Sequence, residues 1–296
     1  MHASALKYGK DFFDNYFAPG RNTENLSIVE IGSLDINGSL RGFSPNGASY
    51  IGVDFVEGRG VDIVLSDPYH LPFDSNTIDA IVCSSVLEHS AFFWLLFLEC
   101  LRILKPEGLI YINAPSNGMV HRFPIDGWRF YPDAGKALVG WARRSGYESL
   151  LLESFIAPKL GEINHEGMWN DFVAIFVKNE KFAQKYLSRI IDHEKNAFCG
   201  YAHDRECISR QAEITPDGVL ISEYEVGLKV VHTQLSEYQT EIQAAHLQIS
   251  EYQTELQVAR LQIDAVFLST SWQITAPLRW IEQWLTRLFK AIKGGI

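Results

Sequence analysis

Over the first 178 residues, short runs of apolar, β-branched positions alternate with stretches of helical period. Segments 27–31, 50–54, 61–65, 78–83 and 109–114 are apolar on successive positions, as strands covered on both faces of a parallel sheet must be. A helix is expected over 92–104, closed by the Lys105-Pro106-Glu107-Gly108 stop, and another over 133–145. Two further strands are expected at about 148–156 and 171–177. The alternation predicts a doubly wound α/β domain with a Rossmann-like parallel sheet over residues 1–178. A mixed linker and helical segment, 179–227, follows, with 181–194 reading as helix. The aromatic-rich piece 8–17 reads either as a lid or as a packing helix.

The apolar period then changes. LSEYQTEIQAAHLQ (235–248) returns as ISEYQTELQVARLQ (249–262), two heptads per copy. With Leu228 at a, the a positions are Leu228, Leu235, Ile242, Ile249, Leu256 and Ile263. The d positions are Val231, Tyr238, Ala245, Tyr252, Ala259 and Val266. A strict 3.5-residue period of this length predicts a coiled coil over 228–266, roughly 60 Å long at 1.5 Å per residue. Glu241 and Glu255 at g precede His246 and Arg260 at e by five positions, which suits a parallel, in-register homo-oligomer, dimer or trimer. The tail, 270–296, is a basic amphipathic helix in pattern. Leu278, Ile281, Leu285, Leu288, Phe289 and Ile292 share a side flanked by Trp280 and Trp284, with Arg279, Arg287, Lys290 and Lys293 against Glu282. Three readings stand: a helix at a membrane interface, a dock for a partner protein such as a glycosyltransferase, or a segment folded back on the head.

Composition narrows the class. The chain has 296 residues, 47% hydrophobic, with a net charge of −10. A core is affordable, and the acidic balance argues against a nucleic-acid partner. Cys83, Cys100, Cys199 and Cys207 show no paired spacing, so neither a zinc site nor a disulfide framework is expected and no metal is called for. The opening residues lack an apolar h-region and no apolar run reaches 18 residues, which predicts a cytoplasmic protein, at most peripheral on the inner membrane face.

In parallel α/β sheets the ligand lies at the carboxyl ends of the strands. After the first strand stands Glu30-Ile31-Gly32-Ser33-Leu34-Asp35-Ile36-Asn37-Gly38-Ser39, whose glycines permit close backbone approach and whose Ser39 suits a helix cap. Asp54 ends the second strand, at a separation that suits a ribose diol. Asp67 with Pro68 and Tyr69 follows the third, and Ser84-Ser85-Val86-Leu87-Glu88-His89 follows the fourth.

The motifs IVEIGS (28–33), YIGVD (50–54), SDPYHLPFDSNTIDAIVCSSVLEH (66–89) and LRILKPEGLIYINAPS (101–116) together resemble the class I S-adenosylmethionine-dependent methyltransferases of the type 11 group. The resemblance implies that fold and S-adenosylmethionine as cofactor. It places Glu30 and Gly32 against the methionine end, Asp54 at the ribose hydroxyls, Asp67 with Pro68 and Tyr69 beside it at the adenine, and Ser84 and Ser85 on the pocket floor, with Ser33, Asp35, Gly38 and Phe55 as further cofactor-binding residues. The family's usual second and third loop glycines are replaced by Leu34 and Ile36. A nicotinamide dehydrogenase would require G-x-G-x-x-G, which is absent.

The long connection 116–135 gathers His121, Arg122, Asp126, Trp128, Arg129 and Tyr131, a set suited to a sugar ring. Its P-x-D-x-W-R-F pattern resembles methyltransferases associated with bacterial surface-polysaccharide (O-antigen) synthesis, and SWQITAPLR (271–279) resembles a tail motif of surface-polysaccharide enzymes. The candidate bases are His121, Asp126 and His89; the competing readings make His89 the end of the fourth strand's loop, Asp126 a turn cap or Arg129 partner, and Trp128 and Phe130 core plugs. His165 and Glu166, in the connection between the last two strands, are further candidates. The expected function is O-methylation of a sugar hydroxyl on a surface glycan, lipid-linked. The alternatives are an inactive methyltransferase-like scaffold and a small-metabolite methyltransferase.

Overall fold

The computed structural model describes residues 2–18, 25–160, 169–205 and 216–293, and divides into two compact units, Met1–Val219 and Leu220–Ile296. In the first unit an N-terminal helix α1 (Ala3–Tyr16) precedes β1 (Ser27–Ile31), β2 (Ser49–Asp54), β3 (Ile63–Val64) and β4 (Ile78–Ser84). Helix α2 (Phe93–Ile103), β5 (Leu104–Pro115), α3 (Asp133–Arg144), β6 (Leu150–Ile156), β7 (Asp171–Val177) and β8 (Phe198–Ala202) complete it.

The strands form one sheet in the order β3-β2-β1-β4-β5-β7-β6-β8. The β3 to β5 half is parallel, whereas β7, β6 and β8 run antiparallel to their neighbours. The sheet is therefore mixed rather than wholly parallel. Its two faces explain the unbroken apolar runs. Val29, Ile81, Cys83, Ile110, Ile112 and Phe176 pack with Leu96, Phe97, Cys100 and Leu101 of α2 and Leu138 and Ala142 of α3. Their alternates Ile28, Ala80, Val82, Leu109, Tyr111 and Ile175 pack with Tyr8, Phe12, Phe13 and Tyr16 of α1. Helix α1 is thus a packing helix, which decides against the lid.

Three sequence expectations change. No α-helix joins β1 to β2, β2 to β3 or β3 to β4. The first of these connections holds only a 3-10 turn, Leu40–Phe43, because glycines and Pro45 interrupt it; Ser39 caps this turn by accepting from Arg41 N–H. The doubly wound sheet is accordingly covered on that side by α1. The strand at 61–65 shrinks to Ile63–Val64. The helix expected over 181–194 is two 3-10 turns, Glu180–Lys185 and Ile190–Asp192. The second is anchored where the buried Glu153 carboxylate accepts Ile190 N–H at 2.9 Å and Ile191 N–H at 3.0 Å. With β8, this stretch belongs to the first unit rather than to a linker. Cys83 and Cys100 are buried free thiols; Cys207 lies outside the described residues.

The second unit is helical. Helix α4 (Pro216–Leu268) spans 53 residues, about 80 Å at 1.5 Å per residue, and begins early enough to add Ile221 and Tyr224 as a further a/d pair. Ser269 ends it by capping Trp272 N–H, so the short α5 (Thr270–Ile274) starts there, and α6 (Ala276–Lys293) follows with Pro277 in its first turn. No helix among the described residues is long and apolar enough to cross a membrane.

Candidate active site

Because β1 lies between parallel β2 and β4, and β5 beside β4, the segments leaving these strands share one edge of the sheet. Gly32, with φ +72°, turns the chain out of β1, and its N–H donates to Val53 O at 2.9 Å. A Cβ here would lie 2.2 Å from Val86 Cγ2, so the β1 and β4 loops meet where only glycine fits. Asp54 is buried at the end of β2. Its carboxylate accepts Leu34 N–H and Val56 N–H, each at 3.1 Å, which leaves further lone pairs for a diol. Glu30 is buried within β1, with Ser39 Oγ, Tyr50 and Arg41 beside it; burial pushes its carboxyl up to about 7. The Ser33 and Ser84 hydroxyls are buried without a hydrogen-bond partner, and Ser85 adopts φ 55° at the end of β4. Small residues, a diol-ready carboxylate and orphaned hydroxyls on one sheet edge fit a nucleoside cofactor with a charged amino-acid arm.

Other expected cofactor residues are placed differently. Asp35 accepts Gly38 N–H at 2.8 Å and pairs with Arg59 at 3.0 Å, so Asp35 and Gly38 build the loop itself. Phe55 is exposed. Asp67 and Pro68 are exposed, and Asp67 caps its own turn at Tyr69 N–H; the Tyr69 hydroxyl accepts Phe92 N–H at 3.1 Å, tying the β3 and β4 loops together.

A second polar cluster sits where the β4 turn meets the long β5 loop. Asp126 is clamped by both Arg129 guanidinium nitrogens, at 2.5 and 2.8 Å, and accepts His121 N–H. The Arg129 bonds hold its carboxyl well below the usual carboxylate range. Asp126 is therefore corrected from candidate base to orienting group: its Oδ2 lies 3.4 Å from His121 Nδ1. The His121 ring meets His89 and Trp169 edge-on, both at 4.9 Å. His89 is held below its ordinary pKa, mainly by burial, so it is neutral near pH 7. Phe130 is core, packed on Phe93 and Phe172, whereas Trp128, Tyr131 and Phe123 of the same loop remain exposed. His165 and Glu166 lie outside the described residues.

Sequence reasoning passed over Glu88 and Trp169. Glu88 precedes His89 in SSVLEH, and that adjacency was the available signal. Trp169 is brought to His121 only by the β5–β7 pairing.

Residues 36–112 match the sequence family described as "Methyltransferase domain". The chain carries an S-adenosylmethionine-dependent methyltransferase domain. Solved structures similar to it include 1,6-didemethyltoxoflavin-N1-methyltransferase of Burkholderia thailandensis, with its substrate and S-adenosylhomocysteine bound. That likeness has 14% identity, a TM-score of 0.46, and covers 60% of this chain and 79% of that one. The YcgJ protein of Bacillus subtilis is 12% identical, with a TM-score of 0.41, over 60% of this chain and all (100%) of that one. Phosphoethanolamine N-methyltransferase 2 of Haemonchus contortus, in complex with S-adenosylmethionine, is 13% identical, with a TM-score of 0.39, over 59% of this chain and 53% of that one. Likenesses of this size say nothing about the methyltransferase domain's acceptor. No curated protein matches the chain.

Proposed function

We propose that this methyltransferase O-methylates a sugar hydroxyl of a lipid-linked surface polysaccharide. The supporting observation is the rim of the site. Trp128, Tyr131 and Phe123 are exposed on the same β5 loop that carries His121 and Arg129, and His121 meets His89 on the turn that follows β4. Flat apolar faces interleaved with planar donors are what a pyranose ring, with one apolar face and a fringe of hydroxyls, requires.

When bound, S-adenosylmethionine supplies an electrophilic methyl group on a sulfonium. In this reading Asp54 holds the ribose hydroxyls, and Gly32 lets the backbone approach. Ser33 and Ser84 satisfy their orphaned hydroxyls on the cofactor, and Glu30 faces its cationic arm. The chain contributes mainly position. Aligning acceptor and methyl donor is worth several kcal/mol, on the order of 7 or more in favourable cases. The hydroxyl proton passes to the imidazole of His89 or His121, and Asp126 orients His121.

The same proposal assigns self-association to α4, through a parallel coil with Glu241–His246 and Glu255–Arg260 pairs between copies. Each such exposed pair is worth about 0.5 kcal/mol, enough to bias orientation. It assigns α6 to the membrane face, where a lipid-linked acceptor resides.

Calorimetry with S-adenosylhomocysteine, followed by methyl transfer from labelled S-adenosylmethionine to polysaccharide-bearing lipid, tests the reading. Binding with transfer into the glycan fraction is expected. Binding with transfer only to soluble metabolites overturns the acceptor assignment, and no binding points to the scaffold.

A further inference from the structure

We propose that Glu88, His89 and His121 bind a divalent transition-metal ion that chelates vicinal hydroxyls of the acceptor. The inference deepens the sugar reading and rests on it for the acceptor, but not for the metal.

The three residues come from two elements. Glu88 and His89 lie on the 3-10 turn after β4 (Leu87–His89), and His121 on the loop after β5. One ligand atom from each lies within 4.8 Å of the others. Imidazole nitrogen and carboxylate oxygen bind such an ion at about 2.0–2.2 Å, placing neighbouring ligands roughly 3–4 Å apart, so small side-chain rotations close the site.

Glu88 is the independent sign that something is bound. Its side chain is 1% exposed, and neither oxygen accepts a hydrogen bond of normal geometry. The nearest basic atom is His89 Nε2 at 3.7 Å, on a neutral imidazole, while the Arg129 guanidinium is committed to Asp126. Asp126 and Asp171 add negative charge around it, and Asp171 is itself paired with His2 at 3.0 Å. A buried, unpartnered carboxylate facing other carboxylates is costly; a cation removes that cost.

The imidazoles are already oriented as ligands. His89 Nδ1 faces Ile125 O at 2.5 Å, and His121 Nδ1 lies 3.3 Å from Met119 O and 3.4 Å from Asp126 Oδ2. Each ring thereby donates through Nδ1 and keeps the Nε2 lone pair free, the arrangement that carbonyl and carboxylate groups impose on metal-bound histidines. Two nitrogens and one carboxylate favour a first-row transition ion such as Mn²⁺, Co²⁺ or Zn²⁺ over Mg²⁺.

Three protein ligands leave positions open on the ion. Two adjacent sugar hydroxyls fill them. The ion lowers the pKa of the coordinated hydroxyl, whose proton leaves to solvent; with His89 and His121 serving as ligands, the ion takes over the activation that an unliganded imidazole would otherwise give as a base. The resulting alkoxide oxygen forms its bond to the methyl carbon as the carbon–sulfur bond breaks, and that electron pair stays on sulfur.

The full-length protein, stripped with chelator, is titrated with Mn²⁺, Zn²⁺ and Co²⁺ by calorimetry, with the Co²⁺ absorption spectrum as a second readout. One equivalent per chain is expected. His121→Ala should weaken binding by more than about 100-fold, above the 10–100-fold cost of losing a second-shell partner, and Glu88→Gln likewise. Absence of stoichiometric binding, or unchanged affinity in His121→Ala, overturns the site; His121 stands on an exposed loop, so that variant folds. S-adenosylhomocysteine binding is measured on the same stripped sample and is expected unchanged. Its absence would count against the methyltransferase reading alone. Metal binding with chelator-insensitive transfer to diol sugars would overturn the chelation step.

Discussion

The Tyr16 hydroxyl donates to the Glu153 carboxylate at 2.6 Å, in a part of the domain without solvent access. The same carboxylate takes Ile190 N–H and Ile191 N–H, so one acidic side chain joins α1, β6 and the turn that leads to β8. Arg189, also buried, donates Nε to Leu152 O and offsets the charge. Tyr16→Phe leaves the carboxylate short of a donor and should destabilise the domain by about 1–3 kcal/mol. Glu153→Leu orphans the buried Ile190 and Ile191 N–H groups as well as the Tyr16 hydroxyl and should cost more. Urea unfolding measures both; a Tyr16→Phe midpoint equal to wild type would refute the joint.

Gly32→Ala places a methyl group against Val86 and asks alanine to hold φ +72°. The backbone term alone is about 1–2 kcal/mol. The expected result is at least a tenfold loss of S-adenosylhomocysteine affinity by calorimetry, with a smaller fall in Tm. Retained affinity would move the cofactor away from this turn.

Burial holds the Glu30 carboxyl at about 7 against an ordinary 4.5. The folded chain therefore carries an extra proton across that window, and its stability falls as pH rises through it. Ser39, Tyr50 and Arg41 are the groups that face it. Above pH 7 the ionised form attracts the cofactor's cationic arm, so affinity should rise between about pH 6 and pH 8. Glu30→Gln should flatten the profile; the same slope in that variant would assign the effect elsewhere.

The a positions Leu235 and Ile249 are exposed on α4. Replacing both by Glu should convert a dimer or trimer into a monomer by sedimentation, with cofactor binding untouched. Unaltered sedimentation would remove the coil from the account.

On α6, Trp280 and Trp284 are exposed on the basic helix. Arg287→Gln with Lys290→Gln should weaken flotation with anionic vesicles by about 1 kcal/mol per charge removed. Equal recovery would favour the protein-docking reading.

What could be read from sequence, and what could not, divides along a physical line. Period alone set the strands at 27–31 and 171–177, the helices over α2 and α3, and the heptads of α4, because each records a burial pattern local to its own segment. The strand-end carboxylates Glu30 and Asp54 were legible for the same reason: they follow an apolar run directly. The loss of a helix after β1, the antiparallel edge with β8, the folding of 180–202 onto Glu153, and the pairing of Glu88 and His89 with His121 were not. Each depends on chain segments far apart in sequence competing for one buried volume or one buried charge. Only packing decides that competition, since a buried carboxylate must find its partners wherever the folded chain delivers them.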